Sequence, residues 1–175
     1  SLNLQALNLY RNGTIELWLR PNSFTGSQII FSKHGPAGGD DDEYSLSITN
    51  GFLLFSTGIG FQFTESELHQ WNHIAIVLTP TDSRMYLNQT LMSTGPRLSE
   101  RATEQEFSIG AVEAIKGTKS YNGFFNGSID ELRISNISRK PEEFLPSAKP
   151  NLSKIEGVKV NEGELINISL NAFHP

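Results

Sequence analysis

Asp130 is the residue whose position in this sequence most directly raises a chemical question. It lies in "SIDELRIS", residues 128–135, a stretch that is typical of a β-strand. Alternate residues of a regular strand share a side, so Asp130 should project in the same direction as Leu132 and Ile134. A carboxylate on an apolar side needs a partner, because burying an unpaired charge is strongly unfavourable. The identity of that partner is the first functional question.

A second candidate for chemistry is the acidic run in "HGPAGGDDDEY", residues 34–44. Its four consecutive acids, residues 40–43, repel one another unless water or a shared cation separates their charges. One interpretation is a cation site that uses Asp41 and Asp42, with His34 pairing with the acids or contacting a ligand. The alternative is a solvated loop, because two preceding glycines loosen the chain and neighbouring acids of an extended segment point apart.

A third candidate is a cluster of aromatic and amide residues, Tyr121, Asn122, Phe124 and Asn126. Aromatic rings bind sugars by stacking on their C–H faces, while nearby amides can bond to the hydroxyl groups. The sequence therefore predicts a ligand-binding patch at Tyr121, Asn122 and Phe124. The alternative is packing within the domain, which phenylalanine favours because its ring carries no polar group.

The elements that would position these residues are short strands. Alternation of period two recurs in "TIELWLR" and "YSLSIT", and the run "WNHIAIVLT" is apolar on both sides, as expected of a central strand. The pair Asn50–Gly51 and the segment "YLNQTLM" are typical of tight hairpins. Only "RKPEEFL" resembles a short helical turn, with Pro141 in its first turn. The predicted fold is therefore an all-β, two-sheet antiparallel sandwich or jelly roll.

The chain changes character after residue 145. "PSAKP", residues 146–150, is typical of a stiff linker. The remaining residues contain two strand-like runs, which are too short to bury a core alone. We therefore predict a jelly-roll domain at residues 1–145, and a linker with the start of a second β domain at residues 146–175. The alternative is that the tail adds strands to the first domain.

Composition narrows the classes of partner. The net charge is −5 and no dense basic patch occurs, which disfavours binding to nucleic acid or to anionic membranes. No apolar run approaches the ~18 residues of a membrane span. The chain starts with serine and shows no leader peptide, so we expect a soluble fragment of a longer protein. The absence of cysteine excludes thiol catalysis and cysteine-bound metals.

Acceptor motifs for asparagine glycosylation are also frequent. If the motifs are used, the protein is secreted or displayed on a cell surface, and the alternative is simply a surface rich in serine and asparagine. The candidate asparagines are Asn12, Asn88, Asn126, Asn136, Asn151 and Asn167.

The order of these segments resembles the laminin-G-like branch of the concanavalin A-like lectin/glucanase superfamily. The tail more weakly resembles the start of an immunoglobulin- or cadherin-like surface repeat. The matching stretches are "GTIELWLRP" (13–21), "IIFSKHG" (29–35), "YSLSITNG" (44–51), "WNHIAIVLT" (71–79), "MYLNQ" (85–89), "FSIGAV" (107–112) and "FNGSIDELRISNISRKPEEF" (125–144).

The resemblance implies an extracellular or cell-surface module that binds carbohydrate or protein, or that serves as a spacer beside further domains of the same chain. It also implies a structural Ca²⁺, with Asp130 as the main carboxylate ligand, since Ca²⁺ accepts many backbone oxygens. The alternative for Asp130 is hydrogen bonding to backbone N–H groups or to His73.

The resemblance does not favour catalysis. Glycoside hydrolysis on this fold requires two carboxylates about 5–10 Å apart, which the related hydrolases supply from one strand with alternating acids. The acids at 40–43 lie in a glycine-led loop, and "ESE" at 65–67 lies beside a turn. No nucleophile elbow is present either. The sequence therefore predicts a binding or adhesion module that is not an enzyme.

Overall fold

The structure is a computed structural model that describes residue 9 and residues 11–33, 44–99, 107–115 and 120–145. Within these residues the chain forms short strands and one 3-10 turn, as the alternation predicted. The strands are β1 (Gly13–Pro21), β2 (Ser27–Lys33), β3 (Tyr44–Thr49), β4 (Phe52–Phe55), β5 (Gly60–Gln62), β6 (Asn72–Leu78), β7 (Asp82–Leu87), β8 (Thr90–Pro96), β9 (Phe107–Ile109), β10 (Val112–Ile115), β11 (Ser120–Asn122) and β12 (Gly127–Ser135); the 3-10 turn is Pro141–Glu143.

The strands form two five-stranded antiparallel sheets and a small hairpin. Sheet A has the order β12-β1-β6-β7-β8, sheet B has the order β5-β4-β3-β2-β9, and β10 pairs with β11. Apolar side chains from both sheets form one buried core, including Leu17, Ile76, Leu46 and Phe55. The predicted antiparallel sandwich is confirmed.

Local sequence signals explain several of these elements. Strand β6, apolar on both sides, lies at the centre of sheet A and is buried throughout. Asn50 and Gly51 have φ angles of 49° and 81°, and Asn88 and Gln89 have 48° and 70°. Paired positive φ values suit two-residue hairpin turns between twisted strands. Both predicted hairpins, β3–β4 and β7–β8, are therefore present.

Strand β12 departs from regular alternation at a β-bulge. Glu16 pairs with Arg133 but Trp18 pairs with Asp130, so two residues of β12 face Leu17 alone. Glu131 has a φ of 48°, a left-handed conformation that reverses the alternation. The side chains on the core side of β12 are Ile129, Leu132 and Ile134.

The bulge corrects the predicted direction of Asp130. Directly paired residues of an antiparallel ladder project from the same side, so Asp130 lies with Trp18 on the outer side of sheet A. The prediction that Asp130 shares a side with Leu132 and Ile134 is wrong. The prediction assumed regular alternation along the whole strand. The extra residue at the bulge interrupts this alternation, so Asp130 projects from the side opposite to Leu132 and Ile134.

Residues 136–145 return across the outer side of sheet A, and we call this segment the strap. Thr14 Oγ1 donates to Ile137 O at 2.7 Å, and Ser138 Oγ donates to Leu78 O. Phe144 packs in a second buried cluster with Ala75, Val77 and Tyr86. The turn predicted around Pro141 is the 3-10 turn within this strap.

Among the described residues, no helix is long and apolar enough to cross a membrane. Residues 146–175 lie outside the described residues, so their division into a linker and a second domain stays a prediction.

Candidate ligand-binding surface

The loop after β11 is fixed to β2 and to the turn before β10 by backbone hydrogen bonds. Ile29 N–H donates to Gly123 O at 2.7 Å, and Phe125 N–H donates to Gly110 O at 2.8 Å. Gly123 has a φ of 64°, and a Cβ there would lie 2.9 Å from Ile29 Cγ1. Glycine is therefore required for this close approach, and the loop is hydrogen-bonded against the sheet.

Gln28 connects this loop to the one that follows β1. Its Oε1 accepts a hydrogen bond from Asn126 N–H at 2.8 Å, while Nε2 donates to Ser23 O at 3.0 Å and to Thr25 O at 3.1 Å. Gln28 is buried, so these bonds are shielded from water. One side chain thus determines the separation of two adjacent loops.

The anchored loop presents the predicted ligand-binding residues to solvent. Tyr121 is 41% exposed and Phe124 is 68% exposed, and Asn122 is exposed as well. Phe125, between them and β12, points inward and packs on the core. We define the rim patch by the exposed side chains of this region, which are Ile109, Tyr121, Asn122, Phe124 and Asn126.

Packing does not account for the rim patch, since its aromatic rings are exposed. Phe61 and Phe63, which the sequence could not distinguish from Phe124, are by contrast buried against each other. The structure therefore separates core aromatics from surface aromatics. Binding by Tyr121, Asn122 and Phe124 stays a prediction.

The sequence pattern missed a carboxylate that is buried among the described residues, which is Glu16. Its side chain is fully buried on the outer side of sheet A. Arg133 Nε donates to Oε1 at 2.8 Å, and Leu145 N–H in the strap donates to Oε2 at 2.7 Å. Arg139 Nε lies 3.9 Å from Oε1. An acid at an outward position of a strand looks ordinary, and only the strap buries it.

The neighbours of Glu16 keep it ionised. Burial raises its pKa, but His73, Leu145 N–H and Arg133 together outweigh burial and hold the pKa of Glu16 below its ordinary value. His73 Nε2 lies 3.4 Å from Glu16 Oε2, although neither ring nitrogen of His73 forms a well-shaped hydrogen bond. The cluster fixes the strap through the hydrogen bond from Leu145 N–H to Glu16 Oε2.

Asp130 does not by itself supply a calcium shell. Its Oδ1 accepts a hydrogen bond from Glu131 N–H at 2.8 Å, which is the backbone alternative that the sequence left open. In the described part of the chain, no group of three His, Asp or Glu residues is placed to hold a metal. Ca²⁺ takes six to eight oxygens, many of them from the backbone, so calcium binding at Asp130 stays a prediction. Asp41, Asp42 and His34 lie outside the described residues.

Four of the six candidate glycosylation sites lie among the described residues, and all four are exposed. They are Asn12, Asn88, Asn126 and Asn136. Asn88 also has a structural role, since its Oδ1 accepts a hydrogen bond from His73 N–H at 2.9 Å. The remaining two, Asn151 and Asn167, lie outside the described residues. Modification at these asparagines stays a prediction.

Comparisons with known proteins agree with this architecture. A family model described as the concanavalin A-like lectin/glucanases superfamily matches residues 2–144. No curated protein matches the sequence significantly. Many solved structures share the fold.

Three of the similar structures are binding proteins or domains. One is from Bacteroides ovatus ATCC 8483 and is provisionally assigned to carbohydrate binding, with 18% identity, a TM-score of 0.58, and coverage of 77% of this chain and 40% of that one. Another is the binding domain of botulinum neurotoxin serotype C1, with 17% identity, a TM-score of 0.57, and coverage of 82% and 37%. A third is the binding domain of botulinum neurotoxin DC in complex with rat synaptotagmin II, with 18% identity, a TM-score of 0.56, and coverage of 78% and 35%.

These identities show the fold alone, and this chain spans about two fifths or less of each of the three structures. The family match covers most of the sequence and agrees with the two antiparallel sheets. The chain therefore belongs to the concanavalin A-like lectin/glucanases superfamily, in the laminin-G-like branch that its sequence resembled.

Proposed function

We propose that this domain is a non-catalytic binding module of an extracellular or cell-surface protein, and that it recognises carbohydrate or protein through the rim patch. The observation that carries the proposal is the exposure of Tyr121 and Phe124 on a loop that is already anchored. Binding to a preformed surface avoids the entropy cost of ordering the loop. The binding domains among the similar structures support this class of function.

The local chemistry of the patch suits sugars and polar protein surfaces. Tyr121 supplies a ring with a hydroxyl group, and Asn122 and Asn126 supply amides that can donate and accept hydrogen bonds. Phe124 supplies the most exposed ring of the patch. The rim patch contains no carboxylate, so it lacks the paired acids that glycoside hydrolysis needs, which supports binding without catalysis.

A glycan and extracellular-protein array tests the proposal, with Phe124→Ala and Tyr121→Ala as variants. We expect the wild type to bind at least one class of ligand, and each variant to bind it at least about tenfold more weakly, because central aromatic contacts dominate interfaces. Leu91→Ala is the matched control, since Leu91 is an exposed apolar residue on β8. Absence of any hit, or equal loss in the control, contradicts the proposal and favours a spacer.

Calcium is a separate part of the proposal. If Asp130 holds Ca²⁺ together with backbone carbonyls, the melting temperature rises with Ca²⁺ relative to EDTA, and the rise is smaller in Asp130→Asn. A cation held by Asp41 and Asp42 instead would give the same rise in both proteins. Differential scanning calorimetry measures both values. An unchanged melting temperature in saturating Ca²⁺ excludes a structural ion, and an equal rise in both proteins places the ion away from Asp130.

A further inference from the structure

The outer side of sheet B carries no charge along its strands. The five strands of this sheet contain one charged residue, Lys33, and it is fully buried. Its pairing with Tyr44 places it on the core side. The outer side of sheet A, by contrast, carries Glu16 and Arg133 beneath the strap. The strands of sheet B can therefore be covered by another molecule without the burial of a charge.

Two large apolar side chains project from this uncharged side. Phe52 is 40% exposed and Leu54 is 39% exposed, and their pairing with Thr49 and Ser47 places both on the outer side of β4. Exposed aromatic rings and a lack of charge are features of the central part of protein interfaces. We call this surface the neutral face and define it by Ser27, Ser45, Ser47, Thr49, Phe52, Leu54 and Gln62.

Most polar side chains of the neutral face already have partners within the domain. Thr49 Oγ1 donates to Ser27 Oγ at 3.3 Å, and Ser45 Oγ lies 3.2 Å from Ser56 Oγ. Gln62 Nε2 donates to two backbone oxygens. Polar groups that are bonded within the protein lose fewer hydrogen bonds to water when a surface is covered, so their burial costs less than the burial of unpaired groups.

We infer that the neutral face forms a weak, reversible dimer with a second copy of this chain. Charge decides the occupant: a charged partner residue that is buried here finds no counter-charge, so the partner's surface must be uncharged as well. The neutral face itself meets this requirement, and a two-fold axis places it against its own equivalent. The inference does not depend on ligand binding by the rim patch.

The size of the neutral face determines the expected affinity. With strands about 4.8 Å apart and about 3.3 Å of length per residue, the five short strands present roughly 400 Å² in projection. Stable complexes bury about 800 Å² per partner, so this face is too small for a permanent dimer. We therefore expect a dissociation constant of about 10–500 μM, at which dilute protein is monomeric and concentrated protein is dimeric.

Sedimentation velocity of the full chain between about 5 μM and 1 mM tests the inference. We expect the weight-average sedimentation coefficient to rise toward the dimer value with concentration. Leu54→Lys should weaken the association at least about tenfold, because two ammonium groups would be buried in the interface without a counter-charge. Leu91→Lys is the matched control, since Leu91 is an exposed apolar residue on β8 of the other sheet, and it should associate like the wild type.

Salt provides a second measurement. Raising the ionic strength from about 0.05 to 0.5 M should leave the association unchanged or strengthen it, because screening reduces the repulsion between two chains of net charge −5 and no ion pair is broken at an uncharged interface. Association that high salt abolishes depends on charged groups outside the neutral face and overturns the inference.

The remaining outcomes are equally decisive. Wild-type protein that stays monomeric up to about 1 mM overturns the inference, as does a dimer that Leu54→Lys leaves intact or that Leu91→Lys weakens equally. A dimer that is lost only in Phe124→Lys would place the contact at the rim patch instead. Circular dichroism checks the fold of each variant, and Thr49→Lys, at an exposed position of the same face, replaces Leu54→Lys if that variant does not fold.

Discussion

Replacing Glu16 by alanine is expected to lower the free energy of unfolding by about 3 kcal/mol, near the lower end of the range for breaking a buried ion pair. The change removes the acceptor for Arg133 Nε at 2.8 Å and for Leu145 N–H at 2.7 Å. The lower end applies because the Arg133 side chain is 32% exposed, so water can partly replace the lost carboxylate. Urea denaturation measures the change.

The matched control for Glu16→Ala is Asp82→Ala on the same sheet. Arg84 Nη2 lies 2.8 Å from Asp82 Oδ2, but the two side chains are 42% and 25% exposed. An exposed pair of this kind contributes at most about 1 kcal/mol. If both variants lose the same stability, the strap does not depend on the buried carboxylate and our account of it is wrong.

The same cluster predicts a pH dependence. The pKa of Glu16 is below its ordinary value of 4.5 in the folded protein, so the unfolded state binds a proton at higher pH than the folded state does. The stability from Glu16 is therefore fully present above about pH 4.5 and is lost as the pH falls through the lower, folded-state pKa.

Glu16→Gln isolates this contribution, because the amide keeps an acceptor and cannot titrate. We expect the free energy of unfolding of the wild type to fall more steeply below about pH 4.5 than that of the variant. Glu67 and Asp82, whose pKa values are also lowered, are present in both proteins. Urea titrations between neutral and acid pH measure the two slopes, and equal slopes would contradict the prediction.

Gly127→Ala is the second change for which we expect a large effect. A Cβ at this position would lie 2.5 Å from Arg20 O and 2.4 Å from Phe125 Cζ. Gly127 pairs with Pro21 where β12 begins, so the backbone of β1 must move to make space. Overpacking of this kind costs about 2–3 kcal/mol, and here the obstacle includes main-chain oxygen, which has no rotamer to change.

Gly58→Ala is the control for the loss of a glycine without a clash. Gly58 has a φ of +86° but nothing lies within 4 Å of its added Cβ, so we expect only the left-handed backbone cost of about 1 kcal/mol. Thermal denaturation compares the two. Gly127→Ala should also weaken ligand binding at Phe124, since the displaced strand start carries the rim loop. Equal destabilisation by the two alanines would refute the role of the close contact.

Local patterns in the sequence were sufficient to predict most of the strands and the hairpins. Alternation of apolar residues is a property of each strand alone, and "WNHIAIVLT" could be identified as central because both of its sides are apolar. The turn at Asn50–Gly51 was equally local, because its positive φ angles depend on residue type. Family resemblance added the superfamily, which the family match confirms.

The direction of Asp130 and the burial of Glu16 depend on contacts between distant parts of the chain. One extra residue in β12, at Glu131, moves Asp130 to the outer side of sheet A, and no local feature of "SIDELRIS" distinguishes this bulge from an unbroken strand. Glu16 looks like an ordinary exposed acid until the strap covers it. Periodicity predicts which residues share a strand, but the pairing of separate strands decides which side they face.

The rim patch shows the same division. Residue types identified Tyr121 and Phe124 as candidates for ligand binding, but they could not exclude packing, because an aromatic ring suits either the core or a surface. Anchoring of the loop through Gln28 and Gly123 exposes these rings. Their exposure could not be recognised along the chain, since it depends on hydrogen bonds between residues that are far apart in sequence, such as Gln28 and Asn126. Local chemistry is encoded residue by residue, whereas a surface is a product of long-range pairing.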